Sequence, residues 1–123
     1  MWIYYRNMPS KTNQIKELHF EVYGLNGCPY YIGAVQTLTQ LKDSVNTHPH
    51  SKKNIKVKVT VKDIERNIWH NHIEQVCTKK VKTNKTKAKS HKTSPFIMCN
   101  GHFIGGYDSL SSELQKPTPF KGI

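Results

Sequence analysis

Acidic residues are scarce in this chain of 123 residues: eight Asp and Glu stand against nineteen Lys and Arg, for a net charge of +11. That excess is not spread evenly along the chain but is one regional feature. Only three cysteines occur, Cys28, Cys77 and Cys99, far apart and with no CxxC pair, so neither a disulfide framework nor a zinc ribbon is expected. A reducing, cytoplasmic setting is the simpler expectation. No apolar run approaches eighteen residues, so no membrane-spanning helix is expected. The start, MWIYYRNMPS, has four consecutive apolar or aromatic residues and no small-residue cleavage site, which argues against a secretory signal. Residues 1–16 hold basic and no acidic residues, which leaves an organelle-targeting arm open. The length suits one domain.

What is present centres on 18–41, LHFEVYGLNGCPYYIGAVQTLTQL. Leu18, Phe20 and Val22 alternate with polar residues in a strand over 18–23 that stops at Gly24, and a turn follows through Asn26 and Gly27. Cys28 then precedes Pro29, a residue pre-shaped for the first helical position. Tyr31, Ala34, Val35, Leu38, Leu41 and Val45 recur at helical spacing to about Asn46, and 48–51, HPHS, breaks the pattern. A thiol at a helix start meets unpaired N–H groups and the positive end of the macrodipole, which favour thiolate. Cys28 is therefore the candidate redox nucleophile, against the bland alternative of a small buried hydrophobe.

Asn54 to Val61 alternates as a second strand, and Asp63 is placed to cap a helix carrying Ile64, Ile68, Ile73, Val76 and Cys77. Cys77 is expected in the core of that helix. His70, Glu74 and Cys77 share a helical face, but packed or solvated side chains are expected there rather than a metal site. The charge is regional: 52–92 holds thirteen basic residues and three acids. Within it, 79–92, KKVKTNKTKAKSHK, has seven lysines and little to bury, and reads as a mobile, solvated loop. Contact with nucleic acid or another polyanion is the alternative, although interleaved aromatics for base stacking are missing. Phe96–Cys99 and His102–Ile104 flank Asn100-Gly101 as a hairpin, and Gly105-Gly106 leads into a last helix from about Asp108 to Lys116. Gly-Gly there is open to a plain reading as turn chemistry, and Asp108 to one as a cap. The expected fold is α/β: a mixed four-stranded sheet, two parallel strands plus an antiparallel hairpin, with three main helices on both faces. Domain limits are expected as an N-terminal extension (1–17), a body (18–116) with an insertion near 79–92, and a tail (117–123).

Cys28-Pro29-Tyr30, Thr93-Ser94-Pro95 and Gly105-Gly106-Tyr107-Asp108, in this order on these elements, resemble the glutaredoxins of the thioredoxin superfamily. The resemblance covers about Leu18 to Gln115. It implies a glutathione-dependent thiol-disulfide oxidoreductase with Cys28 as nucleophile, glutathione as co-substrate and no metal. Tyr30 falls in the active-site motif, and Pro95 matches the family's cis-proline. Ser94 would pair with the cysteinyl part of glutathione through its backbone. Gly106, Tyr107 and Asp108 fall where the γ-glutamyl end is held, and Lys92, or less directly Arg66, where the glycine carboxylate is paired. Tyr31 stands where the family has its second cysteine, implying a monothiol mechanism. The family's lysine shortly before the nucleophile is absent from Gly24–Gly27. Iron–sulfur ligation with glutathione is a further alternative among monothiol relatives, and a redox-inactive binding module using the basic segment is another.

Overall fold

The computed structural model describes residues 16–46, 55–116 and 119–120. The N-terminal extension up to residue 15, the helix-breaking 48–51 segment, Asn54 and most of the 117–123 tail lie outside the described residues. Strand β1 (Lys16–Leu25) leads to helix α1 (Pro29–Asn46), strand β2 (Ile55–Ile64), a 3-10 turn (Arg66–Ile68) and helix α2 (Trp69–Lys79). Then come a short helix α3 (Lys85–Ser90), the hairpin β3 (Phe96–Cys99) and β4 (His102–Gly105), and helix α4 (Tyr107–Leu114).

The sheet order is β2-β1-β3-β4. β1 and β2 run parallel with Phe20 beside Val59, while β3 is antiparallel to both β1 and β4. This is the mixed sheet expected from the alternation of strands and helices. Asn100 and Gly101 have φ of 53° and 83°, the paired positive values of a two-residue hairpin turn, which is why Asn-Gly occupies it.

Successive strand residues face opposite sides, so the sheet divides two cores. Phe20, Val22 and Val57 pack with Ala34 and Leu38 of α1 and Leu110 of α4. Tyr23, Phe96, Met98 and Phe103 pack on the other side with Trp69, Ile73, Val76 and Cys77 of α2. Phe120 closes the first core, 3% exposed, with its ring 5.0 Å from that of Phe20, so part of the expected tail belongs to the body.

Three expectations are corrected. β1 does not stop at Gly24 but runs to Leu25, because β2 pairs alongside as far as Leu25 with Ile64. Asp63 is not a helix cap: it lies in β2, its carboxylate accepts the Tyr31 hydroxyl, and Ile64 is a strand residue. The segment 79–92 is not a loop. Val81 and Ala88, buried among Phe96 and Phe103, give it the apolar anchors that a count of its lysines conceals. Asn84 turns the chain into α3 with φ of 66°, and its side-chain amide donates to the Phe103 carbonyl.

Candidate active site

The turn from β1 to α1 sets the position of the sulfur. The Cys28 N–H donates to the Leu25 carbonyl at 3.0 Å, and Gly27 has φ of 84°, the left-handed value that glycine adopts without strain. The Cys28 carbonyl accepts the first helical bond, from the Ile32 N–H at 3.0 Å. Cys28 is thus the residue flanking α1, and Pro29, which has no N–H, occupies the first helical position. The N–H groups of Tyr30 and Tyr31 are among the unpaired donors of that first turn.

Behind the sulfur, Tyr31 is buried, and its ring covers Gly24: a Cβ on Gly24 would lie 2.1 Å from two ring carbons. The glycine is therefore required by the tyrosine. Tyr31 also anchors through its hydroxyl to Asp63 on β2. Burial and that carboxylate push the Tyr31 phenol well above its ordinary value, so the group stays protonated.

The loop before β3 closes the site. The Ser94–Pro95 peptide is cis, and the Cys28 sulfur lies 3.7 Å from the Ser94 carbonyl oxygen. The Leu25 N–H donates to the Ser94 hydroxyl at 2.9 Å, tying this loop to the end of β1. Two residues unremarked in the sequence brace it further. The Trp69 indole N–H donates to the Lys92 carbonyl at 3.0 Å, and a ring nitrogen of His91 sits 2.9 Å from the Pro95 carbonyl. The Cys28 thiol is pushed up by burial, but the Ser94 side chain, the N–H groups of Tyr31 and Tyr30 and the Arg66 guanidinium outweigh this, and its pKa falls below the ordinary thiol value.

The topology, with a half-buried cysteine at the head of α1 facing a cis-proline before β3, decides the fold class. The chain has a thioredoxin-like fold. Among solved structures, the crystal structure of glutaredoxin 1 from Francisella tularensis complexed with cacodylate is similar. It is 22% identical with a TM-score of 0.47, the match covering 79% of this chain and 92% of that one. No protein-family model and no curated protein matches the sequence.

Two clefts meet at Thr93 and Ser94, and Cys28 lines the first of them. One, of about 480 Å³, brings together Cys28, Arg66 and Lys92. The other, of about 270 Å³, is lined by Tyr30, Pro95, Gly106, Tyr107 and Asp108. Every site residue singled out in the sequence, Arg66 included, therefore borders one cleft or the other. Their exposures differ: Tyr30 is 62% exposed and Asp108 is exposed, whereas Pro95 is buried. Gly106 caps α4, and Asp108 lies in its first turn. A Cβ on Gly106 would lie 3.3 Å from the His91 ring, so the wall of the second cleft is tight at this point.

A larger groove, of about 660 Å³, is lined by residues of α2 together with Lys89 and Lys92. His70, Glu74 and Cys77 border it, but no metal-ligating cluster forms among the described residues. Cys77 and Cys99 are buried, and burial pushes the Cys77 thiol up. Cys28, by contrast, is partly exposed and its thiol pKa is lowered. No described helix is long and apolar enough to cross a membrane.

Proposed function

We propose that this protein is a glutathione-dependent thiol-disulfide oxidoreductase that reduces glutathione mixed disulfides by a monothiol cycle on Cys28. The observation that carries it is the half-buried sulfur at the head of α1, against the Ser94 carbonyl, in a cleft with Arg66 and Lys92 that adjoins the cleft of Gly106, Tyr107 and Asp108 at Thr93 and Ser94. The cleft with Arg66 and Lys92 suits the glycine carboxylate of glutathione, and both cations are available at the surface. The cleft with Gly106, Tyr107 and Asp108 suits the γ-glutamyl end: its ammonium on Asp108, its carboxylate on the N–H groups at the start of α4. Ser94 and Pro95, between the two, are placed for the cysteinyl unit.

The cycle balances with one cysteine. The Cys28 thiolate attacks the glutathione sulfur of a mixed disulfide, a Cys28–glutathione disulfide forms, and the substrate thiolate leaves. A second glutathione thiolate attacks that disulfide, releasing glutathione disulfide and restoring the Cys28 thiolate. Tyr31, wedged between Gly24 and Asp63, supplies no resolving thiol one turn along, so resolution falls to glutathione.

Purified protein should reduce a glutathionylated peptide with glutathione as reductant, and Cys28→Ser should abolish turnover. Equal turnover by the variant would end the proposal. The rival is a nucleic-acid contact. Strand parity places Lys56, Lys58 and Lys62 of β2 on the same side of the sheet as Ile64 and α2, adding to the lysines of 79–92. Steeply salt-dependent binding to duplex DNA, with no peptide turnover, would favour it.

A further inference from the structure

The groove of about 660 Å³ along α2 adjoins the cleft that holds the Cys28 sulfur, since His70 and Lys92 line both. Its floor is apolar and its rim is cationic. Ile73 and Cys77, buried, form the floor, while Lys79 of α2, Lys89 of α3 and Lys92 stand exposed around it against one acid, Glu74. Among the described residues, ion pairs are made by Lys80 and Lys116 and by none of these three lysines. Glu74 thus offsets only part of the rim charge.

The fold itself gathers these lysines. Val81 and Ala88 seat the 79–92 segment against Phe96 and Phe103, and that packing brings Lys89 across from α2. His70, Ile73, Glu74 and Cys77 recur at three- and four-residue spacing, so the groove follows one face of α2 away from the nucleophile. From His70 to Lys79 the helix rises about 14 Å, the reach of about four residues of extended polypeptide.

We propose that this groove receives the polypeptide flanking the glutathionylated cysteine of a substrate protein and selects segments rich in Asp and Glu. The assignment rests on the glutathione cycle above for its covalent step, whereas the charge of the groove is independent of it. A buried apolar floor suits peptide side chains. Among the described residues no Phe, Tyr or Trp lines the groove to stack a nucleic-acid base.

The test compares glutathionylated peptides carrying four Glu, four Gln or four Lys on either side of the cysteine, at low ionic strength where surface charge is least screened. The mixed disulfide of free cysteine with glutathione serves as the small substrate. The Glu peptide should show a kcat/KM about three- to tenfold above that of the Gln peptide. Lys79→Gln combined with Lys89→Gln should erase this preference and leave turnover of the small substrate unchanged, because neither lysine borders the clefts assigned to glutathione. Glu74→Gln should widen the preference. Equal kcat/KM for Glu and Gln peptides, or a preference that survives in the double variant, would overturn the assignment. Should no mixed disulfide turn over, the glutathione cycle fails, and fluorescence anisotropy of a Glu peptide with serine in place of cysteine decides the groove alone. Binding that needs Lys79 and Lys89 would uphold it, and no binding would overturn it. Duplex DNA binding through the same two lysines, without preference among the peptides, would overturn it in favour of nucleic acid.

Discussion

Gly24→Ala is the substitution for which the structure gives the sharpest expectation. A methyl at this position would sit 2.1 Å from two carbons of the Tyr31 ring and 2.6 Å from a third, where ordinary contact needs more than 3.4 Å. The ring would have to retreat by more than an ångström. It has little freedom to do so, since Tyr31 is 4% exposed in the first core and its hydroxyl is tied to Asp63. Overpacking of this kind costs about 1–3 kcal/mol. For a domain of this size that lowers Tm by roughly 3–10 °C, read by thermal unfolding.

Backbone strain does not confuse the reading, because Gly24 lies in a strand and has no left-handed φ. Glycine is a poor strand residue, so without the ring the added methyl should be neutral or mildly stabilising. A double-mutant cycle isolates the contact: in a Tyr31→Ala background the cost of Gly24→Ala should vanish, giving a coupling of about 1–3 kcal/mol. If Gly24→Ala is as stable as wild type while Tyr31 is present, the ring does not lie where the structure puts it. The account of why a glycine occupies position 24 then fails.

The depressed Cys28 pKa predicts an iodoacetamide profile half-maximal at lower pH than that of an ordinary thiol. A group whose folded pKa is depressed contributes stability above its unfolded value, and that contribution is lost as pH falls through the folded pKa, so Cys28→Ser should narrow its stability deficit on acidification. Arg66→Gln should move the alkylation profile toward that ordinary value, and only slightly, because the guanidinium is exposed. Trp69→Phe should cost about 1 kcal/mol by chemical denaturation through loss of the indole bond to the Lys92 carbonyl. Phe120→Ala should cost about 3–5 kcal/mol, and an effect near zero would place Phe120 outside the core.

Much of the fold could be read from local pattern. The Asn100-Gly101 turn, the strand Phe96–Cys99 and the long helix after Cys28-Pro29 obey short-range rules that the described structure repeats. The misreadings share a cause, which is that tertiary partners decide them. Asp63 looks like a cap until Tyr31, thirty-two residues earlier, supplies a hydroxyl to its carboxylate. The lysine-rich 79–92 segment looks unanchored until Val81 and Ala88 find the aromatic side of the sheet. The composition of the site was legible through its three motifs. Its bracing was not, since neither the Trp69 indole on Lys92 nor the Leu25 N–H on the Ser94 hydroxyl leaves any periodic trace in sequence.

Incubation with glutathione disulfide, followed by peptide mass mapping of the adduct, tests the central claim most directly. A single glutathionyl group on Cys28, removed by added glutathione, is the predicted result. No adduct, or one confined to Cys77 or Cys99, would contradict it.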